Sequence, residues 1–244
     1  MRPKMTTEFK PFDGDTSLFA QYERDCFRNL RDREGKVLPV FRIAKKERAE
    51  KENRDPFGEH GERLEKRRTP RSAPPIVDLL LELERTMFFP EFPSRQHSLF
   101  ANLGGHQTGY EGEIFLVLPH ESARISISAV QDFKVSDPRT LCEYLRKQLQ
   151  AKFALDDPID LSRLAEYKGE YDKVDYQLHH HLLDFMDLIQ GWFKRGVRDC
   201  KELDYVLRFW KKSLLVENMV CPDGRIGSEV IIQGAVRYER GHVS

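Results

Sequence analysis

The sequence predicts an α+β fold with a small mixed or antiparallel sheet, a long helical block and an extended, charged N-terminal arm. Three observations lead to this prediction. Short apolar runs typical of strands stand among helical segments, without the regular strand–helix alternation of a parallel sheet. Residues 171–218 carry two apolar stripes at helical spacing. Residues 42–71 contain 11 basic and 7 acidic side chains and almost no large apolar residue.

The N-terminal arm is assigned to residues 1–66, and the folded α+β domain to residues 67–244. Apolar residues at three- and four-residue steps predict a short amphipathic helix within residues 17–33. Residues 37–41 form a short apolar run in which Pro39 confines any strand to the edge of a sheet. The charged stretch that follows is expected to be solvated, because charges of both signs are interspersed along it.

The first half of the folded domain is predicted to contain two helices and two strands. Pro74 and Pro75 suit the first turn of a helix over residues 74–87, and further prolines end it. Residues 114–118 predict a strand buried on both faces, and residues 124–128 predict a half-buried strand. The second helix is expected over residues 137–152.

The second half is predicted to be mostly helical and to end in a strand. In the helical block, Gly196 separates the two apolar stripes and is the expected break. Residues 229–232 predict the closing strand, after a turn formed by residues 221–224. Stripes of this kind are typical of core-facing helices, so we expect them to pack a core.

The bulk composition limits the classes of function. The chain has 40 basic and 40 acidic residues; residues 1–71 carry a net charge of +5 and the remainder −5. This asymmetry is compatible with self-association or with docking on a charged partner, but it is too small to imply nucleic-acid binding. Four scattered cysteines without metal spacing favour a reducing compartment. Because no signal-like or membrane-length apolar segment is present, we expect a soluble, intracellular protein.

The run His179-His180-His181 raises the question of a metal site. Consecutive residues on a helix point about 100° apart, so three in a row cannot converge on one ion. We therefore assign no metal. The sequence also lacks a glycine-rich phosphate loop and a serine nucleophile elbow.

The remaining candidate residues suit an anionic, nucleotide-like ligand: Arg68, Arg71, Arg95, Ser98, Tyr110 and Glu229. Arginine offers a fixed pair of donors to a phosphate or carboxylate. A lone glutamate on a strand can hold a ribose hydroxyl and stabilise an oxocarbenium-like centre. Cleavage of a nicotinamide–ribose bond needs these residue types. The opposing interpretation is that the arginines form surface ion pairs and that Glu229 is a charge at a strand end.

Residues 67–133 and 226–240 resemble the ADP-ribosyltransferase-like domains of uncharacterised proteins, several of them encoded by tailed bacteriophages. The resemblance covers about a third of the chain and rests on short motifs. These motifs are Arg68–Pro74 before a helix, Ser94-Arg95 to Ser98-Leu99-Phe100, Tyr110 to Pro119, Asp132-Phe133 and Glu229–Ile232.

The resemblance implies a role for each candidate residue. Arg71 or Arg68 would bind NAD, with Arg95 and Tyr110 as further contacts. Ser98 would order the site, and Glu229 would be catalytic.

The sequence departs from the family pattern at three places. Ser98 stands in His-Ser-Leu where the family has Ser-Thr-Ser, and the glycine that follows the family's tyrosine is displaced to Gly112. Gly227 stands two residues before Glu229, where arginine-modifying members have an acidic or amide residue. This last departure argues against arginine as the acceptor. Together, the three departures are compatible with a related scaffold that lacks catalytic activity.

Two functions follow as hypotheses. The first is an NAD-dependent mono-ADP-ribosyltransferase in the host cytoplasm, acting on an unknown acceptor. It predicts that Glu229, Ser98 and one arginine line a single cleft, within about 10 Å of one another. The second is a non-catalytic structural or interaction protein, for example a virion component. In that case the N-terminal arm would bind a neighbouring subunit and become ordered on it.

Overall fold

The computed structural model describes residues 8–54, 56, 75–108, 111–128, 135–153, 182–223 and 225–240. The chain forms two compact units, and each of them is discontinuous in sequence. The sheet unit comprises Met1–Arg67, Glu91–Asp132 and Ser213–Ser244, and the helical unit comprises Arg68–Pro90 and Phe133–Lys212. Strands and helices are both present, so the predicted α+β class is confirmed.

The described part of the sheet unit is made of strands with few helices. It has one α-helix, α1 (Lys46–Arg54), and two 3-10 helices, Thr16–Tyr22 and Arg95–His97. The strands are β1 (Phe9–Pro11), β2 (Leu30–Arg31), β3 (Val37–Leu38), β4 (Val40–Ala44), β5 (Leu99–Leu103), β6 (Gly105–Gln107), β7 (Glu113–Pro119), β8 (Arg124–Ile127), β9 (Leu214–Val216), β10 (Glu229–Gln233) and β11 (Val236–Arg240).

Seven of these strands form an antiparallel sheet in the order β11-β7-β4-β5-β10-β8-β9. Successive side chains of a strand point to opposite faces, so the register decides which residues share a face. One face carries the larger apolar core, which includes Val40, Leu99, Ala101, Val117, Ile127, Val230, Ile232 and Val236. The other face carries a smaller cluster around Phe41, with Phe12 and Phe19 packed on it at ring-centroid distances of 5.7 Å each.

Residues 8–54 belong to the sheet unit, so the prediction that residues 1–66 form an arm outside the folded domain is wrong for them. β4 lies between β7 and β5, where Phe41 pairs with both Leu116 and Asn102. Pro39 separates β3 from β4, and its carbonyl accepts a hydrogen bond from Gly104. The proline therefore ends one short strand without confining the next to an edge.

The predicted helix within residues 17–33 is also largely wrong. Only Thr16–Tyr22 is helical, as a 3-10 helix capped by the Asp15 side chain. Asp25 and Cys26 adopt positive φ angles of 50° and 62°, which no right-handed helix accommodates. The chain then continues into β2, where Leu30 is fully buried.

α1 protects the edge of the sheet at β11. The Asn53 side chain donates to the carbonyl of Tyr238 at 2.7 Å and accepts from its N–H at 2.8 Å. These two bonds give an edge strand the partners that a neighbouring strand would otherwise supply. The first part of the charged stretch is thus a helix docked on the sheet.

The helical unit has five described helices: α2 (Pro75–Phe88), α3 (Pro138–Phe153), α4 (Leu182–Arg195), α5 (Lys201–Leu207) and α6 (Phe209–Lys212). Buried leucines, isoleucine and valine of α2 meet Trp210 of α6, whose indole N–H donates to the Leu81 carbonyl at 2.8 Å. Phe88 and Phe193 stack with their ring centroids 4.0 Å apart. The apolar stripes therefore pack a core, as predicted.

The helix and strand predictions for residues 74–152 are confirmed by α2, β7, β8 and α3, and β10 confirms the closing strand. The prediction that β8 is half-buried is wrong, because Ile125–Ser128 are all buried and the strand is covered on both faces. Gly196 ends α4 with a φ of +76°, as expected of the break. The helical block is shorter than predicted, because Leu214–Val216 is a strand paired with β8. Residues 171–181, including the three consecutive histidines, lie outside the described residues. None of the described helices is both long and apolar enough to span a bilayer.

Candidate functional site

A row of side chains crosses four strands of the sheet and changes from apolar to polar along its length. Phe41 of β4 pairs with Asn102 of β5, and Asn102 pairs with Glu229 of β10. The Ser128 N–H then donates to the Glu229 carbonyl at 2.9 Å, which places Ser128 on the far side of Glu229. Residues opposite one another in an antiparallel sheet share a face. Glu229 thus lies between an amide and a hydroxyl.

Arg95 and Glu229 form a buried ion pair on this face. The Arg95 Nη1 lies 2.8 Å from the Glu229 Oε1, and the side chains are 2% and 11% exposed. The guanidinium carbon also lies 4.7 Å from the centroid of the Phe100 ring. At this separation the flat guanidinium gains a cation–π attraction besides its ion pair. The burial of these two charged groups is tolerated because they form an ion pair with each other.

The turn before β5 positions Arg95. Arg95 begins the 3-10 helix that leads into β5, and the Ser98 hydroxyl at its end donates to the Ser94 carbonyl at 2.5 Å. The Ser94 N–H donates to the side-chain oxygen of Gln233 at 2.9 Å, which anchors the turn to the end of β10. The guanidinium is therefore carried by a segment that is fixed at both ends.

Two further polar side chains near Glu229, those of Ser126 and Asn102, form no hydrogen bond within the described residues. Ser126 is fully buried and its hydroxyl lacks a partner there. It pairs with Ile231, two residues along β10 from Glu229, so it lies diagonally across from the carboxylate on the same face. Asn102 is half-buried. The Glu229 carboxylate bonds Arg95 through one of its two oxygens, Oε1.

The structure brings together two of the residues predicted from sequence, Arg95 and Glu229. Ser98 directly precedes β5 and lies four residues before Asn102, an offset of about 13 Å at the usual rise per residue. Its hydroxyl bond to Ser94 gives it a part in holding the turn. Arg68, Arg71 and Tyr110, like residues 132 and 133, lie outside the described residues.

Sequence reasoning missed Asn102 and Ser126. The alternation of polar and apolar residues in 124–128 indicated that the serines share one face of a strand. It could not indicate that this face is the one that carries Glu229, because that depends on the register between β8 and β10.

The arrangement suits stabilisation of positive charge. A carboxylate held by one arginine in a partly water-excluded site is preorganised, so it needs little rearrangement when a cation develops beside it.

In the described part of the chain, His, Cys, Asp and Glu form no group of three or more that could hold a metal ion.

Comparison with protein families, curated proteins and solved structures finds no match to this chain. The resemblance to ADP-ribosyltransferase-like domains therefore stays a prediction from the motifs.

We expect Ser126→Ala to raise the free energy of unfolding by about 1 kcal/mol. A buried hydroxyl without a partner costs about 1–3 kcal/mol, and alanine removes it with little loss of volume. Denaturation by urea measures the change. The matched variant is Ser98→Ala, whose hydroxyl is bonded to Ser94 and whose loss should destabilise the protein. A Ser126→Ala variant that is destabilised as much as Ser98→Ala would show that the Ser126 hydroxyl has a structural partner.

Proposed function

We propose that this protein is an NAD-dependent mono-ADP-ribosyltransferase-like protein in which Glu229 and Arg95 form the centre of the site. One observation supports the proposal most strongly. Two residues chosen for this chemistry, 134 positions apart in sequence, meet at 2.8 Å on one face of the sheet. Both types suit the task, since the reaction develops a positive charge that a carboxylate can stabilise and an arginine can hold that carboxylate in place.

In the proposed reaction the bond between ribose C1′ and the nicotinamide nitrogen breaks, and its electron pair leaves with nicotinamide. The ribose becomes an oxocarbenium-like cation. Glu229 stabilises this cation through its second oxygen, while Arg95 holds the carboxylate in place through Oε1. A nucleophile of the acceptor then adds to C1′ and loses a proton, so no further reactant is needed.

Stability alone does not require the ion pair. Replacing a buried ion pair by apolar residues of similar volume is often neutral or stabilising. The surrounding sheet shows that apolar residues pack well in this unit, since Val230 and Ile232 beside Glu229 on β10 are fully buried. A pair that stability alone does not require is consistent with selection for chemistry.

The test is the release of nicotinamide from NAD. We expect Glu229→Gln to slow the release about 10²- to 10³-fold, since it removes one electrostatic contact to the transition state. NAD affinity should change far less, because glutamine keeps the size and the acceptor for Arg95. The matched control is Glu239→Gln, which neutralises another strand glutamate that is paired with an arginine, Arg24. Equal rates in both variants would contradict the assignment of Glu229.

The second candidate is a structural or interaction protein without catalysis, in a virion or in the host cytoplasm. One observation favours it: the Arg95–Glu229 contact joins the turn before β5 to β10, so the pair can serve to fix that turn. Wild-type protein that neither binds NAD nor releases nicotinamide would establish this alternative over the enzyme. The neighbour-binding arm would then be sought outside residues 8–54, which belong to the sheet unit.

A further inference from the structure

Asn102 is the polar neighbour of Glu229 on the more open side of the row. Its Cα pairs directly with that of Glu229, so the two side chains start about 4.5–5.5 Å apart on the same face. Asn102 is half-buried, whereas Ser128 on the other side of Glu229 is buried. Within the described residues the amide makes no hydrogen bond. Its donor and acceptor are both available beside the carboxylate.

A primary amide is the natural complement of another primary amide. The Asn102 Nδ2 can donate to a carboxamide oxygen while its Oδ1 accepts from the carboxamide nitrogen. The group that leaves from the carbon next to Glu229 in the proposed reaction is nicotinamide, which carries such a carboxamide. A carboxylate in its place would accept one bond from Nδ2, and it would be repelled by Oδ1 and by the Glu229 charge.

We propose that Asn102 recognises the carboxamide of the nicotinamide ring and so selects NAD over the analogue that carries a nicotinate carboxylate. This inference rests on the proposed function and adds a residue that sets its substrate. Asn102 is thereby a specificity residue, and Glu229 alone faces the reacting carbon. Each hydrogen bond contributes about 0.5–1.5 kcal/mol, so the two together are worth about tenfold in affinity.

The experiment compares the dissociation constants of NAD and of nicotinic acid adenine dinucleotide for the full-length protein. We expect wild type to prefer NAD by about tenfold or more, and Asn102→Ala to reduce that preference to less than about threefold. Asn102→Thr, which suits a strand, serves as a second variant if the alanine variant does not fold. Gln190→Ala, on an exposed position of α4, is the matched amide control and should keep the wild-type preference.

The outcomes separate the inference from the proposed function. A variant that retains the full preference for NAD overturns the role of Asn102 and leaves the proposed function standing. Wild type that binds both dinucleotides equally also overturns the role of Asn102 and leaves the proposed function standing, because the carboxamide is then not recognised. Wild type that binds neither dinucleotide overturns the proposed function, and the inference with it.

Discussion

Breaking the Arg95–Glu229 pair from one side should destabilise the protein by about 3–5 kcal/mol, whichever partner is replaced. The cause is the charge left behind at a site that is almost closed to water: Arg95→Met leaves the Glu229 carboxylate there, and Glu229→Leu leaves the Arg95 guanidinium without this carboxylate. The double variant Arg95→Met/Glu229→Leu should recover most of this loss, because it removes both charges. Chemical denaturation of the four proteins gives the coupling free energy directly.

The surface pair of Arg24 and Glu239 is the matched control for this cycle. Its atoms are 3.0 Å apart, close to the distance in the buried pair, but the Arg24 side chain is 61% exposed. Exposed pairs typically contribute about 0–1 kcal/mol. If the single variants of Arg95 and Glu229 lose no more than those of the surface pair, the site is open to water and our description of it as desolvated is wrong.

The second large effect is expected at Glu84 in the helical unit. Glu84 is fully buried in α2, and neither carboxylate oxygen has a hydrogen-bond partner in the described part of the chain. Burial raises the pKa of this carboxyl to about 9, and the positive charge of Lys211 offsets only part of the shift. The group is therefore protonated in the folded protein at neutral pH and ionised in the unfolded chain.

This difference makes the stability of the helical unit depend on pH. Between pH 4.5, the ordinary pKa, and pH 9 the folded state binds a proton that the unfolded state does not. The free energy of unfolding should then fall as pH rises, by about 1.4 kcal/mol per pH unit. Below pH 4.5 both states are protonated and this contribution to stability is fully present. Above pH 9 it has been lost.

We expect Glu84→Met to abolish this dependence and to stabilise the protein by about 3 kcal/mol at pH 7. Denaturation profiles between pH 5 and pH 9 measure both effects. Glu82→Gln in the same helix is the control, because it replaces a carboxylate that is paired with Arg85 at 2.6 Å rather than one buried without a hydrogen-bond partner. An equal slope in wild type and Glu84→Met would mean that Glu84 is ionised in the folded protein.

The predictable parts of the fold are the elements whose pattern of apolar residues is complete within a short stretch of sequence. α2 and α3 have stripes at helical spacing, and proline pairs mark the start and the end of α2. β7 is a continuous apolar run, with Phe115–Pro119 all buried, and β8 alternates. In each case a window of the sequence contains both the element and the signals for its ends.

The role of residues 8–54 was not predictable in this way. Its strands are two to five residues long and are interrupted by Pro39 and by charged residues, so each looks like part of a linker. They belong to the core only because β4 pairs with β5 and β7, which lie more than 50 residues further along the chain. β9 was not predicted for the same reason: the helical pattern continues to residue 218, but the helix ends at Lys212 because Leu214–Val216 pairs with β8.

The residue types of the candidate site were chosen from the sequence, whereas their geometry could be predicted only in part. Arginine and glutamate could be chosen because their chemistry suits a dinucleotide. Nothing in a single sequence indicates that Arg95 would reach Glu229, because the contact depends on the turn before β5 and on the register of β5 with β10. Asn102 and Ser126 became candidates only once this register had placed them beside the carboxylate.

Nicotinamide release from NAD by the double variant Arg95→Met/Glu229→Leu tests the central claim most directly. This variant is expected to be folded, so a loss of activity cannot be ascribed to unfolding, which near-ultraviolet circular dichroism will check. We expect wild type to release nicotinamide and the folded double variant not to release it above background. A wild type without activity, or a double variant as active as wild type, would contradict the account.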